Sequence, residues 1–513
     1  MRIELDRMIQ EKPATLFWGF VLLHATFWTL LPAVVNPNLP LDVIEGLAWG
    51  HEWQWGYHKH PPIKPWFIET AAFLSGRGDW AQYLLSQVCI VTAFFAMWRL
   101  AADFLRPSLA LISVLLLEGI YYHNYTSPEF NVNVAQLPFW ALTLFFVWRG
   151  VNRGGMKAWI PAGLFIGLGF LSKYIFLFLA FAIIIMIVCV RPFRACLKTP
   201  GPYVAAALAL AVVAPHLLWV VENDFITISY GMARVHADSG FFGNHLYYPM
   251  KFLVGQSLIL IPCLILLLTL KDGGTPVGVG PDRIARSRFL LFLSFGPPLI
   301  MVTLAGVFGW KLRSMWGTPL FLISGLALVY FFQHRLSVKD TRRFAVTWTV
   351  FFLLSLIAYG GVTLVGPSFT GRAKKTQFPG EQLALEVGQR WQRHFNSPAE
   401  TVIGMFWYAG NIAYHTPNRP SVFIDADPKK SPWINLATIR RHGAIVVGET
   451  REEAYGYVPQ GVGPVIDAGE VSLPFVYWRD LPPLKLYLLF IGPEENQMRL
   501  NHTDMPGKES SQS

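Results

Sequence analysis

The sequence predicts a polytopic α-helical membrane protein with a polar α/β domain at its C-terminus. Three observations predict it. Of 513 residues, 53% are hydrophobic and only 14% charged, with a mean hydropathy of +0.39, whereas a soluble domain carries about 25% charged residues. Apolar stretches close to the ~20 residues that span a bilayer recur as far as Val365, and the loops between them alternate between basic and less basic. From Gly366 the composition turns polar, and short apolar runs alternate with helical patterns.

The spans follow in order. The first, Ala14–Val35, is preceded by Arg2, Arg7 and Lys12, which places the N-terminus in the cytoplasm and the 36–79 loop outside. No small-residue cleavage site follows, so this span is expected to stay. The second, Trp80–Leu100, returns to Arg99 and Arg106; the third, Leu109–Tyr122, leads out to the polar loop 123–136; the fourth, Leu137–Trp148, returns to Arg149, Arg153 and Lys157. The apolar run Trp159–Val190 has basic residues at both ends, so it is expected to be two short helices that turn at Ser172-Lys173-Tyr174 near the outer face. One continuous helix would leave Lys173 at mid-bilayer, at a cost of about 2.5–3.5 kcal/mol. A seventh span, Tyr203–Val221, leads to the outer loop 222–251, and an eighth returns to a Gly-rich inner loop, Lys271–Arg288. A ninth, Phe289–Phe308, reaches the short outer segment 309–316; a tenth returns to the basic stretch His334–Arg343; an eleventh, Phe344–Val365, goes out again. The expected organisation is a transmembrane domain, 1–365, of about 11 spans, more where one is split. An extracytoplasmic α/β domain, 366–500, and a disordered tail, 501–513, complete it. Strands are expected at Thr401–Trp407, Ser421–Asp425, Ala444–Val447 and Leu486–Ile491, with helices near Glu381–Phe395 and Trp433–His442.

The net charge of +10 is scattered over loops and forms no stripe, which argues against a nucleic-acid partner. The four cysteines lie in or beside spans and imply neither a disulfide framework nor a zinc site. No glycine-rich phosphate loop or nucleotide-binding motif faces the cytoplasm.

One stretch concentrates chemistry. Asp42 and Glu45 are three residues apart, so a helix puts both carboxylates on one face. Trp49, Trp53 and Trp55 follow, and a helix of this kind past a first span is expected at the lipid–water interface. Then comes Gly56-Tyr57-His58-Lys59-His60-Pro61-Pro62, whose prolines fix how Lys59 and His60 are presented. The spacing of His51, Glu52, His58 and His60 matches no standard zinc pattern, so no cofactor is expected and a divalent metal is the minor reading.

This stretch resembles the first outer loop of the GT-C-type membrane glycosyltransferases of family 39, which include protein O-mannosyltransferases and lipid A aminoarabinose transferases. Many bacterial members read Asp-Glu, an aromatic run, then Gly-Tyr-Tyr-Asp-His-Pro-Pro. Asp42, Gly56-Tyr57 and His60-Pro61-Pro62 match without a gap, while Val43 stands where the family has its second acid. Gly169-Phe170-Leu171-Ser172-Lys173-Tyr174 and Pro215-His216-Leu217-Leu218-Trp219…Asn223-Asp224 are also similar to the family. The resemblance implies transfer of a sugar from a polyprenyl-phosphate donor to an outward-facing lipid or glycan acceptor in a bacterial inner membrane, as in lipid A or lipopolysaccharide core. A galacturonosyltransferase is one form of it.

Such a transfer needs a base for the acceptor hydroxyl and cations for the departing phosphate. The resemblance makes Asp42 the base, with Glu45 as the nearest second acid. Lys59, His60, Lys64, Lys173, Lys311 and Arg313 are the phosphate candidates, and Tyr57, Glu129 and Asp224 the substrate-binding ones. The bland alternatives are a helix N-cap for Asp42, snorkelling to lipid headgroups for the cations and a solvated loop acid for Glu129. Two rivals stay open: a protein O-mannosyltransferase, and a transporter or flippase of a lipid-linked sugar. The latter predicts charges at mid-helix depth and repeated broken helices.

Overall fold

The computed structural model of the chain describes residues 2–270, 281–338, 340–478 and 480–494. Much of the inner loop Lys271–Arg288 and the tail 501–513 lie outside the described residues. The chain divides into two units. One is made of residues up to Val35 together with Lys59–Val362, the other of Asn36–His58 together with the chain from Thr363 onward. The first outer loop, expected to belong wholly to the transmembrane domain, is therefore divided at His58/Lys59.

In the first unit every expected span falls on an apolar helix. Among the described residues seven are long and apolar enough to cross a membrane: Pro13–Val35, Trp80–Ala101, Val132–Arg153, Gly201–Glu222, Gly240–Leu268, Asp282–Phe308 and Arg342–Leu364. An eighth arises if Ser314–Phe321 and Ser324–Arg335, bent by 52°, are one span. The other three expected spans are the shorter helices Pro107–Gly119, Met156–Ser172 and Phe176–Cys189. The long 159–190 run breaks where its basic ends demanded, with Lys173 extended between two helices.

Two outer loops are more helical than expected. Residues 132–136 of the 123–136 loop are already helix, because the Asn131 side chain accepts from the backbone N–H groups of Asn133 and Val134 at 2.8 and 3.3 Å. The 222–251 loop carries the helix Ile226–Val235, and a second helix, Gly240–Leu268, starts well before Lys251. Sequence periodicity hides both, because Gly and Asn punctuate the loop.

Helix pairs in this unit close through small residues. A Cβ added to Gly163 would stand 2.4 Å from the Ala205 carbonyl oxygen, and one on Gly167 would stand 2.8 Å from Val212. This four-residue spacing lets Met156–Ser172 lie directly on Gly201–Glu222. Deep in the bundle, His24 Nδ1 is 2.9 Å from Glu118 Oε2, both side chains fully buried. Asn124 donates to the Glu118 backbone oxygen and to its Oε1, at 2.7 and 3.2 Å.

The second unit holds a five-stranded sheet of order β2-β1-β3-β5-β4, with β1 Thr401–Gly404, β2 Ser421–Ile424, β3 Ala444–Gly448, β4 Val465–Leu473 and β5 Leu484–Ile491. β1 pairs in parallel with β2 and β3, and β5 pairs antiparallel with β3 and β4. The four expected strands and both expected helices are present. The first strand stops at Gly404 rather than Trp407, and the helix Phe406–His415 follows. Gly404 sits at φ +149 with Val447 O only 2.3 Å from where a Cβ would be, so no other residue fits there. β4 was hidden because Asp467, Glu470 and Ser472 interrupt its apolar pattern.

The helix Leu41–Gly50 packs on Phe406–His415 within this unit. It starts at Pro40, and Asp42 in its first turn complements the helix dipole. Asn38 bonds Asn411 at 2.9 Å, His415 Nε2 lies 3.1 Å from Asn38 Oδ1, and Arg419 donates to Leu47 O at 3.2 Å. Val43–Gly50 are buried, so this is a packed helix rather than one lying exposed at a lipid surface. Trp49 is wholly buried and stacks on Tyr57 at 5.4 Å, whereas Trp53 and Trp55 are exposed.

Candidate active site

In the first unit, two of the segments that carry expected phosphate binders meet one short helix, Ile226–Val235. At its start, the Tyr174 hydroxyl donates to Thr227 Oγ1 at 3.0 Å and lies 2.8 Å from His216 Nε2. One turn on, Tyr230 receives two of the expected phosphate binders: Lys59 Nζ is 5.9 Å from its ring centroid, and the His60 ring meets it edge-on at 6.1 Å. At its end, the Val235 carbonyl accepts from the Lys311 backbone N–H at 2.9 Å. The Lys311 ammonium lies 5.0 Å from the centroid of the Tyr248 ring.

Lys173 belongs to a neighbouring group. Its ammonium donates to Asn133 Oδ1 and stands over the Trp316 ring at 5.6 Å. Trp316 is held by Ile175 and Phe252. It lies three residues after Arg313, whose buried Nε has no protein hydrogen-bond partner among the described residues. Because Tyr174 follows Lys173 directly, the Lys173 group and the Tyr230 group are joined through the backbone of one turn. Lys64 is buried on Ile63–Leu74, a helix that packs on Met156–Ser172, the helix ending at Lys173. These side chains can do one thing together: aromatic faces hold ammonium groups in place by cation–π attraction, and ordered cations of this kind suit an anion.

The remaining candidates fall elsewhere. Glu129 is half-buried, and Asp224 is exposed at φ +53 in the turn before Ile226–Val235. Asp42, Glu45 and Tyr57 belong to the second unit. Asp42 is half-buried and Glu45 is 3% exposed. Tyr57 is wholly buried between Trp49 and Trp433, and its hydroxyl accepts from the Gln54 N–H at 3.1 Å, so packing takes up its ring. Among the described residues, no group of three or more His, Cys, Asp or Glu side chains comes together as a metal ion would require.

Sequence reasoning missed Asn133, Tyr230 and Trp316. Asn131-Val132-Asn133 reads as a helix start in retrospect, and Trp316 stands one turn past Arg313. Tyr230 has no local signal, since only the tertiary fold brings it to Lys59.

Residues 59–219 match the family model described as dolichyl-phosphate-mannose-protein mannosyltransferase. The lipopolysaccharide core galacturonosyltransferase RgtB of Rhizobium johnstonii is 24% identical over 442 residues, 82% of this chain and 85% of that protein. The lipid A galacturonosyltransferase RgtD of the same organism is 23% identical over 411 residues, 78% of this chain and 80% of that one. RgtA, a lipopolysaccharide core galacturonosyltransferase, is 22% identical and covers 95% of this chain and 100% of its own length. Among solved structures, ArnT from Cupriavidus metallidurans in the apo state superposes with a TM-score of 0.57 at 12% identity, covering 93% of this chain and 97% of that one. The form bound to undecaprenyl phosphate gives 0.55 at 11% identity with the same coverage. Over most of its length the chain is thus similar in sequence to these galacturonosyltransferases and in fold to ArnT.

Proposed function

We propose that this chain is an inverting glycosyltransferase of a bacterial inner membrane, taking a sugar from a polyprenyl phosphate and placing it on an outward-facing lipid A or lipopolysaccharide core acceptor. The observation that carries this reading is the convergence of Lys59, His60 and Lys311 on the helix Ile226–Val235 beside the Lys173–Trp316 group. Cations fixed by aromatic faces on segments that join apolar helices suit a phosphate carried on a lipid.

In the proposed reaction the acceptor hydroxyl attacks the anomeric carbon and the bond from that carbon to the phosphate oxygen breaks. The electron pair leaves on the polyprenyl phosphate, whose charge Lys59, His60, Lys64, Lys173, Lys311 and Arg313 offset. The hydroxyl proton passes to Asp42. Glu129 and Asp224 orient the sugars. The relatives' names favour a galacturonosyl group. The match to a protein mannosyltransferase family keeps a protein acceptor as the second reading. The N-terminus and the basic loops are assigned to the cytoplasm, and the second unit to the periplasm.

The test is direct. The purified chain is given synthetic polyprenyl-phosphate galacturonic acid, or its mannose counterpart, with lipid A, core oligosaccharide or a Ser/Thr-rich peptide, and products are read by mass spectrometry. A galacturonosylated lipid or core product is expected. A mannosylated peptide alone would replace this reading with the second one.

A further inference from the structure

The stretch just past the last long apolar helix, Arg372-Ala373-Lys374-Lys375, carries three cations in four residues. It lies inside the second unit and is held there by its neighbours. The Asn38 N–H donates to the Thr376 carbonyl at 3.0 Å, so the stretch runs beside the short segment that leads into the Asp42 helix. Gln377, wholly buried, donates to Thr363 O at 2.6 Å, and Phe378 packs edge-on against Trp407 at 5.1 Å. The Lys375 ammonium stands 5.2 Å from the centroid of that same Trp407 ring, and Lys374 Nζ reaches Thr363 Oγ1 at 3.4 Å. One helix, Phe406–His415, therefore carries the lysine stretch through Trp407 and the Asp42 helix through Asn411.

Among the described residues neither ammonium forms an ion pair. Burial holds Lys374 below the ordinary lysine value, and does the same to Lys375, where Glu449 pulls the other way. Lys374 is half-buried while Lys375 is exposed, and a half-buried ammonium whose contact is a neutral hydroxyl gains when an anion arrives. Its position is also fixed in advance, so an arriving anion meets an ordered partner.

We infer that Lys374 and Lys375 form an anion subsite for the acceptor, binding a phosphate or carboxylate that the acceptor carries while its hydroxyl meets Asp42. The inference rests on the glycosyltransferase reading given above. It adds a feature of the acceptor: it is anionic, and its negative group is recognised by the second unit rather than by the donor-phosphate cations. Two sources could supply the anion, the acceptor itself or bulk membrane lipid, and the experiment separates them.

The full-length protein is assayed in nanodiscs of phosphatidylcholine with a polyprenyl-phosphate sugar, using lipid A that keeps its phosphates and lipid A stripped of them. The readout is the ratio of kcat/KM between the two acceptors. For Lys374→Gln/Lys375→Gln that preference is expected to fall about tenfold, the low end for losing charge-assisted contacts, through KM rather than kcat. Lys374→Arg/Lys375→Arg is expected to restore it. An unchanged ratio overturns the proposal. So does an effect that appears only when anionic phosphatidylglycerol is added to the discs, which assigns the lysines to bulk lipid. If the unmodified protein transfers no sugar to either lipid, the glycosyltransferase reading fails instead, and the two failures are distinct.

Discussion

The Lys173 ammonium stands 5.6 Å from the centroid of the Trp316 ring while it donates to Asn133 Oδ1. Both partners are neutral groups that fix where the ammonium stands. If it binds the donor phosphate, Lys173→Ala should lower kcat/KM for the polyprenyl-phosphate sugar by at least about tenfold, the worth of one charge-assisted contact. Lys173→Arg should recover part of it. Trp316→Leu should raise KM for the donor with a smaller effect on kcat, because it removes about 0.5–2 kcal/mol of cation–π positioning. Steady-state kinetics with purified protein checks all three; wild-type kinetics for Lys173→Ala would reduce this residue to a structural tie.

Asp42→Asn keeps the size and most hydrogen bonding of the side chain and removes the proton acceptor. Turnover should fall by at least about a hundredfold, the lower end for a general base, with donor binding retained. Glu45→Gln should cost less turnover, since Glu45 is buried in the packed face of its helix. Single-turnover assays with donor-affinity measurements decide between them. A dead Glu45→Gln beside a normal Asp42→Asn would exchange their roles.

The His24–Glu118 pair predicts a stability effect. Removing one member of a buried pair costs about 3–5 kcal/mol, because the other is left uncompensated. His24→Ala should therefore lower the Tm in detergent markedly. His24→Leu/Glu118→Leu should lose less than the sum of its two single variants, a non-additivity that direct contact requires. Thermal unfolding of the four proteins measures the coupling, and strict additivity would show that the pair contributes none.

The orientation proposed from the basic loops can be read with reporter fusions. A reporter active only outside the cytoplasm should work when joined after Gly366 or Leu500, and one active only in the cytoplasm should work before Pro13. The reverse pattern would invert the whole map.

The apolar helices were legible because length and hydropathy are local properties, and the break at Lys173 was legible because basic ends and a buried lysine admit one cheap solution. The strands β1, β2, β3 and β5 were legible as short buried runs. What stayed hidden depends on distant partners. The division of the first outer loop at His58/Lys59 follows from Asn38, Ile44 and Leu47 meeting Asn411, Gly410 and Arg419, and no window of sequence holds both sides. Trp49 reads as an interfacial aromatic because a tryptophan that faces lipid and one that faces a helix look alike in a sequence. The Ile226–Val235 helix meets the cation-bearing segments 59–60 and 311 and the Tyr174 hydroxyl, so its importance cannot be read from its own residues.

The bond between Asn38 and Asn411 spans 373 positions, and this has a bearing on biogenesis. The Asp42 helix leaves the ribosome early, and the helix it packs against, Phe406–His415, is made after the last long apolar helix. At ~5–20 residues per second the interval is roughly 20–75 s. Through that time Ile44, Leu47 and Trp49 lack the surface that later buries them. A chain stopped after the final span would keep every apolar helix needed for insertion and still leave the proposed base on an unsupported segment. Only a chain translated past Arg419 can supply the contacts that pack the helix carrying Asp42.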